Sequence, residues 1–163
     1  SKGIIDVLQK SGRYLVVNAQ TNSNNYGFNY ITKYTRTDYI SIDEAELRLP
    51  FGAKNDPLEG LIDRLQDITH ANEVQITLGQ RGSIYRRGSK QWRTPAFATS
   101  VKDSVGAGDA VLSVTALCAK QGLDPAIIGL VGNCTGALAV EIIGNEHPVY
   151  KKDLLKFVKH LLK

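Results

Sequence analysis

The chain has 163 residues, which is enough for one globular domain with a buried core. Hydrophobic residues make up 42% of it and charged residues 22%, proportions that exclude a disordered or fibrous protein. The formal net charge of +4 does not by itself indicate a nucleic-acid partner, because the 20 lysines and arginines are scattered along the sequence.

The densest group of basic residues lies within positions 81–93, among the alternating residues of predicted strands. This pattern indicates a solvated face, and a polyanion site is the alternative. The most membrane-like run, residues 126–140, is shorter than the ~20 residues that a span needs and contains polar residues and glycines. We therefore expect no nucleic-acid partner and no membrane partner.

The positions of the cysteines and the N-terminal residues are informative about the cellular compartment and about the extent of the chain. Cys118 and Cys134 both lie in apolar helical segments rather than in a spaced framework, which favours a reducing, cytoplasmic setting. The N-terminus lacks the charged start and apolar stretch of a signal peptide. Because the first residue is Ser1 rather than Met and a helical pattern begins almost at once, we expect the chain to be a piece of a longer protein.

Helices and strands alternate along the sequence. In chain order the predicted elements are a helix at 2–11, strands at 14–18 and 38–42, helices at 43–49 and 58–68, strands at 73–78, 83–87 and 91–98, and helices at 109–120, 125–143 and 151–162. This order predicts an α/β fold with a mostly parallel sheet covered on both faces, without an internal domain boundary.

Three of the helices carry further signals. The helix at 58–68 should have Asp56 as its N-cap and Pro57 in its first turn. The helix at 109–120 is apolar nearly all round, which predicts burial on most sides. In the next helix three glycines share one side, so another part of the chain can come close there; they are Gly129, Gly132 and Gly136.

Ligands of such sheets bind beyond the carboxyl ends of the strands. The turns that follow the predicted strands, or precede the helix at 109–120, are residues 18–24, 41–46, 78–82 and 102–109. We expect a functional site to draw its residues from these turns.

The last of these turns lies within the segment VKDSVGAGDAV, residues 101–111. Gly106 and Gly108 flank Ala107, so the turn can adopt backbone angles closed to other residues and a ligand can approach its peptide groups. Such a turn before a helix N-terminus favours a phosphate or a developing anion. Asp109 would border that site and could accept a proton; the alternative is that it only caps the helix.

Four segments resemble motifs of the PfkB, or ribokinase-like, carbohydrate kinases. DSVGAGDAV resembles the signature D-T-x-G-A-G-D, with Ser104 in place of the threonine. ITLGQRGSIY is similar to the family's V-T-L-G-x-x-G strand and turn, SIDEAELRL to its N-x-x-E segment, and GNCTGALAV to its penultimate helix. Together they cover nearly the whole chain in the family's order. Among subfamilies, the chain is most similar to the kinases that phosphorylate heptose 7-phosphate, which are often tied to a nucleotidyltransferase.

The resemblance implies a three-layer αβα, ribokinase-like fold in which residues 1–163 are the C-terminal nucleotide-binding portion of the domain. A full member runs to roughly twice this length. The N-terminal half, with the sugar-binding residues and the small lid that often forms a homodimer contact, would be absent. We therefore expect the parent protein to be a kinase and this chain alone to be inactive or weakly active.

The resemblance also implies an activity: ATP-dependent phosphoryl transfer to a hydroxyl of a sugar or sugar phosphate. Asp109 would be the catalytic base, and the amides of the turn, from Gly106, Ala107 and Gly108 among others, would stabilise the transferring phosphoryl group. The alternative is a non-catalytic nucleotide-binding or regulatory module. A dinucleotide-binding oxidoreductase is disfavoured because no G-x-G-x-x-G follows the first strand.

Five residues are implied to contact the nucleotide. Gly79 and Gly82 would pass close to its phosphates and ribose, with Thr77 just before them; a tight turn between strands is the alternative. Asn133 matches a position beside the adenine, and a buried amide with satisfied hydrogen bonds is its alternative. Asn18 ends a strand where the family often keeps a nucleotide contact.

Four residues are implied to organise cations. Glu46 matches the acid that helps to hold Mg²⁺ through water, and Asp43 stands where the family has asparagine. Acidic residues on a helix surface are the plain alternative for both. Asp103 and Ser104, with carbonyl groups near Gly144, match the loops that hold a monovalent cation, K⁺, in several members.

Overall fold

The computed structural model describes residues 2–20 and 27–163. Most of the turn predicted at 18–24 therefore lies outside the described residues. The α-helices are α1 (Lys2–Lys10), α2 (Glu44–Arg48), α3 (Leu58–Thr69), α4 (Ala107–Lys120), α5 (Pro125–Ala139) and α6 (Lys151–Leu161). The strands are β1 (Val16–Val17), β2 (Tyr39–Asp43), β3 (Glu73–Thr77), β4 (Ser83–Arg87) and β5 (Lys90–Thr94). Short 3₁₀ turns lie at Ile31–Lys33, Leu49–Phe51, Gly79–Arg81 and Ile143–Asn145.

The five strands form one sheet in the order β1-β2-β3-β4-β5. Strands β1 and β2 are parallel, with Val16 opposite Tyr39. The links between β3 and β4 and between β4 and β5 are residues 78–82 and 88–89, too short for a crossover, so these strands are antiparallel. The predicted α/β class is confirmed, and the sheet is mixed.

The residues group into two compact units, each described here by itself. The first contains the described residues as far as Ile76, together with Arg86–Lys90. The second contains Thr77–Tyr85 and Gln91–Lys163.

In the first unit, α3 buries the apolar stripe that the sequence predicts. Leu61, Ile62 and Leu65 are fully or almost fully buried, as are the strand residues Ile40 and Ile76. Burial of such a side chain contributes roughly 1.5–3 kcal/mol, so this stripe holds the helix in place.

The predicted cap of α3 is wrong by one position. Pro57, not Asp56, is the N-cap, and no side chain accepts a hydrogen bond there. Pro57 has extended backbone angles, φ −57° and ψ 134°, so the helix begins only at Leu58. The carbonyl oxygen of Asp56 instead accepts a hydrogen bond from Arg48 Nη1 at 2.9 Å.

In the second unit, α4 is less buried than its sequence suggests. Its buried residues are Val111, Thr115 and Ala119, a single stripe at a spacing of four, while Leu117 is 68% exposed. The prediction of burial on most sides is wrong within the described chain. The apolar character comes largely from small side chains, which give up little free energy when they are exposed.

Helix α5 brings neighbouring chain segments close at its glycines, as predicted. A Cβ built on Gly129 would lie 3.3 Å from Thr94 Cβ, and one built on Gly136 would lie 3.3 Å from Val111 Cγ2. The helix ends at Ala139 rather than at residue 143: Val140 is its C-cap, and the backbone becomes extended at Ile142, with φ −96° and ψ 119°.

Both cysteines are free thiols. Burial raises the pKa of Cys134 to about 11 and also raises the pKa of Cys118, so neither forms much thiolate at neutral pH. Of the helices that the structure describes, none has the length and apolar character to cross a bilayer.

Candidate active site

The glycine turn meets the N-terminus of α4. Gly106 has a left-handed backbone, φ 79°, and occupies the N-cap position, where no side chain provides a cap. Asp109 is the third residue of the helix and is exposed. Asp109 is therefore not the N-cap, and its carboxylate stands at the positive end of a helix of 14 residues.

The amides of this turn divide into two groups. The N–H of Val105 donates to Asp103 Oδ1 at 2.9 Å, and the N–H of Ala107 donates to the Ser104 carbonyl at 3.3 Å. Those of Gly106 and Gly108 donate to no residue that the structure describes. In the predicted anion site, the N–H groups of Gly106 and Gly108 are therefore the available donors. The N–H of Ala107 could donate to an anion only after breaking its hydrogen bond to the Ser104 carbonyl.

Asp103 fastens this turn to the segment that follows α5. Its Oδ1 accepts from Val105 N, and its Oδ2 accepts from Gly144 N at 2.9 Å. These hydrogen bonds, the one from Val105 first, lower the pKa of the Asp103 carboxyl below its ordinary value. The N–H groups of Lys102 and Asp103 both donate to the Val140 carbonyl, at 2.9 and 3.1 Å. Asp103 is therefore a structural clamp, whether or not a cation also binds near it and the exposed Ser104.

Asn145 also contacts the turn, and sequence reasoning missed it. A Cβ built on Gly106 would lie 2.6 Å from Asn145 Nδ2 and 2.8 Å from its Cγ. Asn145 has a left-handed backbone, φ 55°, directly after Gly144 at φ 58°. The dipeptide Gly-Asn was the available signal, because both residues tolerate this conformation.

The turn at 79–82 is a compact connection between β3 and β4. Leu78 N donates to the Gly82 carbonyl at 2.8 Å. Gly82 has φ 85° and ψ −132°, and a Cβ there would lie 2.7 Å from the carbonyl carbon of Pro95 and 2.8 Å from Ala96 N. The tight-turn alternative therefore accounts for Gly82. Gly79 has φ 58° with open space around it, and Thr77 is half-buried at the end of β3.

Asn133 makes two hydrogen bonds to the same end of β5. Its Nδ2 donates to the Thr94 carbonyl at 2.9 Å and to the Pro95 carbonyl at 2.7 Å. The side chain of Thr94 also lies against Gly129. The structure thus places the predicted residues Gly82 and Asn133 against the same segment, residues 94–96. The sequence alone does not indicate this, because the two residues are 51 positions apart.

The remaining predicted residues belong to the first unit. Asp43 is the N-cap of α2: its Oδ1 accepts from Glu46 N at 2.8 Å, and Glu46 Oε2 accepts from Asp43 N at 3.0 Å. This capping box explains the spacing of the two acids without a metal. Asn18 follows β1 and is half-buried.

Within the described ranges, no three His, Cys, Asp or Glu side chains come together as metal ligands. One carboxylate oxygen of Asp43 and one of Glu46 take part in the cap. That donor set suits an ion that keeps most of its water, as Mg²⁺ does, rather than one enclosed by protein ligands.

Comparison with known proteins identifies the chain's relatives. Residues 6–152 match the profile of the pfkB family carbohydrate kinases. The chain is 30% identical over 127 residues to the bifunctional protein HldE of Koribacter versatilis (strain Ellin345), an alignment that covers 76% of this chain and 26% of that protein.

Two solved structures show the same fold. Escherichia coli phosphofructokinase-2 in complex with potassium superimposes with a TM-score of 0.80 and 15% identity, covering 99% of this chain and 52% of that one. Arabidopsis thaliana ribokinase complexed with ribose and ATP superimposes with a TM-score of 0.74 and 19% identity, and the alignment covers 97% of this chain and 51% of that one. The ribokinase-like fold is confirmed, and the chain spans about half the length of these structures.

Proposed function

We propose that this chain, which belongs to the pfkB family of carbohydrate kinases, supplies the catalytic base and the nucleotide site for phosphoryl transfer from ATP to a hydroxyl of a sugar or sugar phosphate. One observation carries the proposal: an exposed Asp109 lies beside a glycine turn whose Gly106 and Gly108 amides have no partner among the described residues, at the start of α4. Residues 1–163 would form the C-terminal, nucleotide-binding portion of such a kinase.

Asp109 would act on the acceptor hydroxyl. Its carboxylate takes the proton as the acceptor oxygen bonds to the γ-phosphorus, while the bond from that phosphorus to the ADP oxygen breaks. The Gly106 and Gly108 amides, at the positive end of α4, would donate to the phosphoryl oxygens as charge develops on them.

The nucleotide would contact Thr77, Gly79 and Asn18, with Gly82 and Asn133 shaping the site. Gly82 packs against the backbone of residues 94–96, and Asn133 donates two hydrogen bonds to carbonyl groups of that segment. These contacts support a shaping role for Gly82 and Asn133 rather than direct contact with the nucleotide. Open space beside Gly79 would let a phosphate or ribose approach its peptide group.

Cations complete the proposal. Mg²⁺ would neutralise phosphate charge when bound, and Asp43 and Glu46 would hold it through its water shell. Asp103 and Ser104 would border a K⁺ site. Potassium in the E. coli phosphofructokinase-2 complex supports K⁺, although in this chain both carboxylate oxygens of Asp103 already accept amide hydrogens.

The similarity to HldE supports a sugar phosphate of the heptose 7-phosphate type as acceptor. A non-catalytic nucleotide-binding module is the second candidate. It is favoured by the capping box, which gives Asp43 and Glu46 a role that needs no metal.

The test uses the whole polypeptide that contains this chain, with ATP, MgCl₂ and a panel of sugars and sugar phosphates that includes heptose 7-phosphate. We expect ADP to form only when an acceptor is present, and the acceptor to gain the mass of one phosphoryl group. Tight ATP binding in calorimetry without any phosphorylated product across the panel would favour the non-catalytic module instead.

A further inference from the structure

We infer that Asn145 is a positioning residue for the glycine turn, holding Gly106 so that its amide faces the transferring phosphoryl group. The inference rests on the proposed function and adds a residue that neither the motif nor its spacing identifies. It depends on the backbone of Asn145, on the contact of its side chain and on the anchoring of its segment.

The backbone of Asn145 is unusual. Among the described residues only His70 and Asn145 have a positive φ without being glycine, at 52° and 55°. His70 is the C-cap of α3, a position where the left-handed conformation is ordinary, and its N–H donates to the Gln66 carbonyl. Asn145 instead lies in the segment that leads from α5 to α6, immediately after the left-handed Gly144. The side chain of Asn145 lies against the glycine turn at Gly106.

The contact is made by the amide group. Although Asn145 is exposed overall, its Nδ2 and Cγ lie where a side chain on residue 106 would begin, 2.6 and 2.8 Å from a Cβ built there. The φ of 79° favours glycine at position 106, and a side chain there would have to displace the Asn145 amide. The amide of Asn145 covers one side of the residue whose N–H the proposed reaction needs.

The segment that carries Asn145 is fastened to the other end of the same turn. Asp103 binds Gly144 N through Oδ2, and the Val140 carbonyl accepts from both Lys102 N and Asp103 N. Residues 140–145 thus make hydrogen bonds to the turn at residues 102–103 and contact it at Gly106 through the Asn145 side chain. Without the Asn145 side chain, the second of these contacts is lost and the first remains.

The expected consequence is kinetic. Orientation of a donor matters for the transition state more than for ground-state binding of a nucleotide, and a small misplacement can cost up to 10²-fold in rate. We expect Asn145→Gly to lower kcat by at least about tenfold while the KM for ATP stays within about twofold.

Glycine is chosen because it separates positioning from stability. It removes the side chain while relieving the left-handed backbone, so the variant should unfold at the same temperature as the wild type or higher. A residue that served only stability would show no loss of kcat under that condition. His70→Gly is the matched control: it makes the same change at the other left-handed residue, which lies outside the site, and should leave kcat unchanged.

The experiment measures kcat and KM of the whole polypeptide, thermal unfolding, and amide hydrogen exchange at Gly106 in the absence of substrate. Lower kcat with faster exchange at Gly106, in Asn145→Gly but not in His70→Gly, is the expected result. Wild-type kcat in a folded Asn145→Gly variant would overturn the positioning role. If the wild type itself transfers no phosphoryl group, the proposed function fails, and the exchange rate at Gly106 alone decides: an unchanged rate overturns the inference.

Discussion

The sequence predicts that residue 82 must be glycine, but it does not give the physical reason that the structure shows. The motif predicts that residue 82 is glycine because a ligand passes it, whereas the structure gives a packing reason: the backbone of residues 95–96 occupies the place of a side chain. The sequence could not reveal this contact, because the two segments meet only through the pairing of β4 and β5. Asn133 is the same case, with its partners 38 and 39 residues away.

Substitution of Gly82 should therefore be costly even without ligand. Gly82→Ala places a Cβ against three backbone atoms, of Thr94, Pro95 and Ala96, and puts alanine at φ 85°, so we expect a loss of about 3 kcal/mol or more in the free energy of unfolding. Gly79→Ala is the matched control in the same turn. Its Cβ meets nothing, so the left-handed backbone alone should cost roughly 1–2 kcal/mol. Urea unfolding of both variants measures the difference, and equal losses would contradict the packing account.

The lowered pKa of Asp103 predicts how the stability of the fold depends on pH. Its pKa is lowered in the folded chain by the amides of Val105 and Gly144, so the stability that it contributes is full above the unfolded pKa and is lost as pH falls through the folded value. Asp103→Asn cannot accept at both positions and should be less stable than the wild type at neutral pH. The difference should shrink as the pH falls below about 4. Urea unfolding from pH 7 to pH 2.5 tests this, and a difference that stays constant would contradict the clamp.

At the scale of elements, the sequence predicts each helix and strand close to its observed position. The failures have physical causes. Helix α4 is apolar in composition, yet it buries one stripe, and even the large side chain of Leu117 is exposed. Helix α5 ends early at Ala139, where the chain turns to form the clamp with Asp103. A window of hydrophobic residues cannot foresee such an interaction.

The capping box of α2 allows its structural role to be separated from a metal role. Asp43→Asn keeps a good N-cap and Glu46→Gln keeps the reciprocal hydrogen bond, while each removes one negative charge. We expect both variants to stay within about 0.5 kcal/mol of the wild type in unfolding free energy.

In the whole polypeptide, the same two variants should need several-fold more Mg²⁺ for half-maximal activity, because each removes a charge that attracts the hydrated ion. Titration of activity with MgCl₂ provides the measurement. An unchanged Mg²⁺ requirement in both variants would assign the acids to the cap alone.

For the whole molecule, the family follows from four short motifs in the right order, and the match over residues 6–152 bears it out. What the motifs could not supply is how the glycine turn is held. Asp103, Val140 and Asn145 do this through contacts between segments about 40 residues apart, and of these residues only Asp103 belongs to the signature. The signature marks the groups proposed to react, whereas the residues that position them are visible only in the fold.

The central claim is that Asp109 is the base beside an anion-binding turn. The most direct measurement is phosphoryl transfer by Asp109→Asn in the whole polypeptide, together with its affinity for ATP. The variant keeps the size of the side chain and the helix N-terminus, so nucleotide affinity should stay within about threefold while kcat falls by about 10²- to 10⁴-fold. Asp124→Asn, the same change at the N-cap of α5, should leave both unchanged because asparagine also caps. Wild-type turnover in Asp109→Asn would contradict the account.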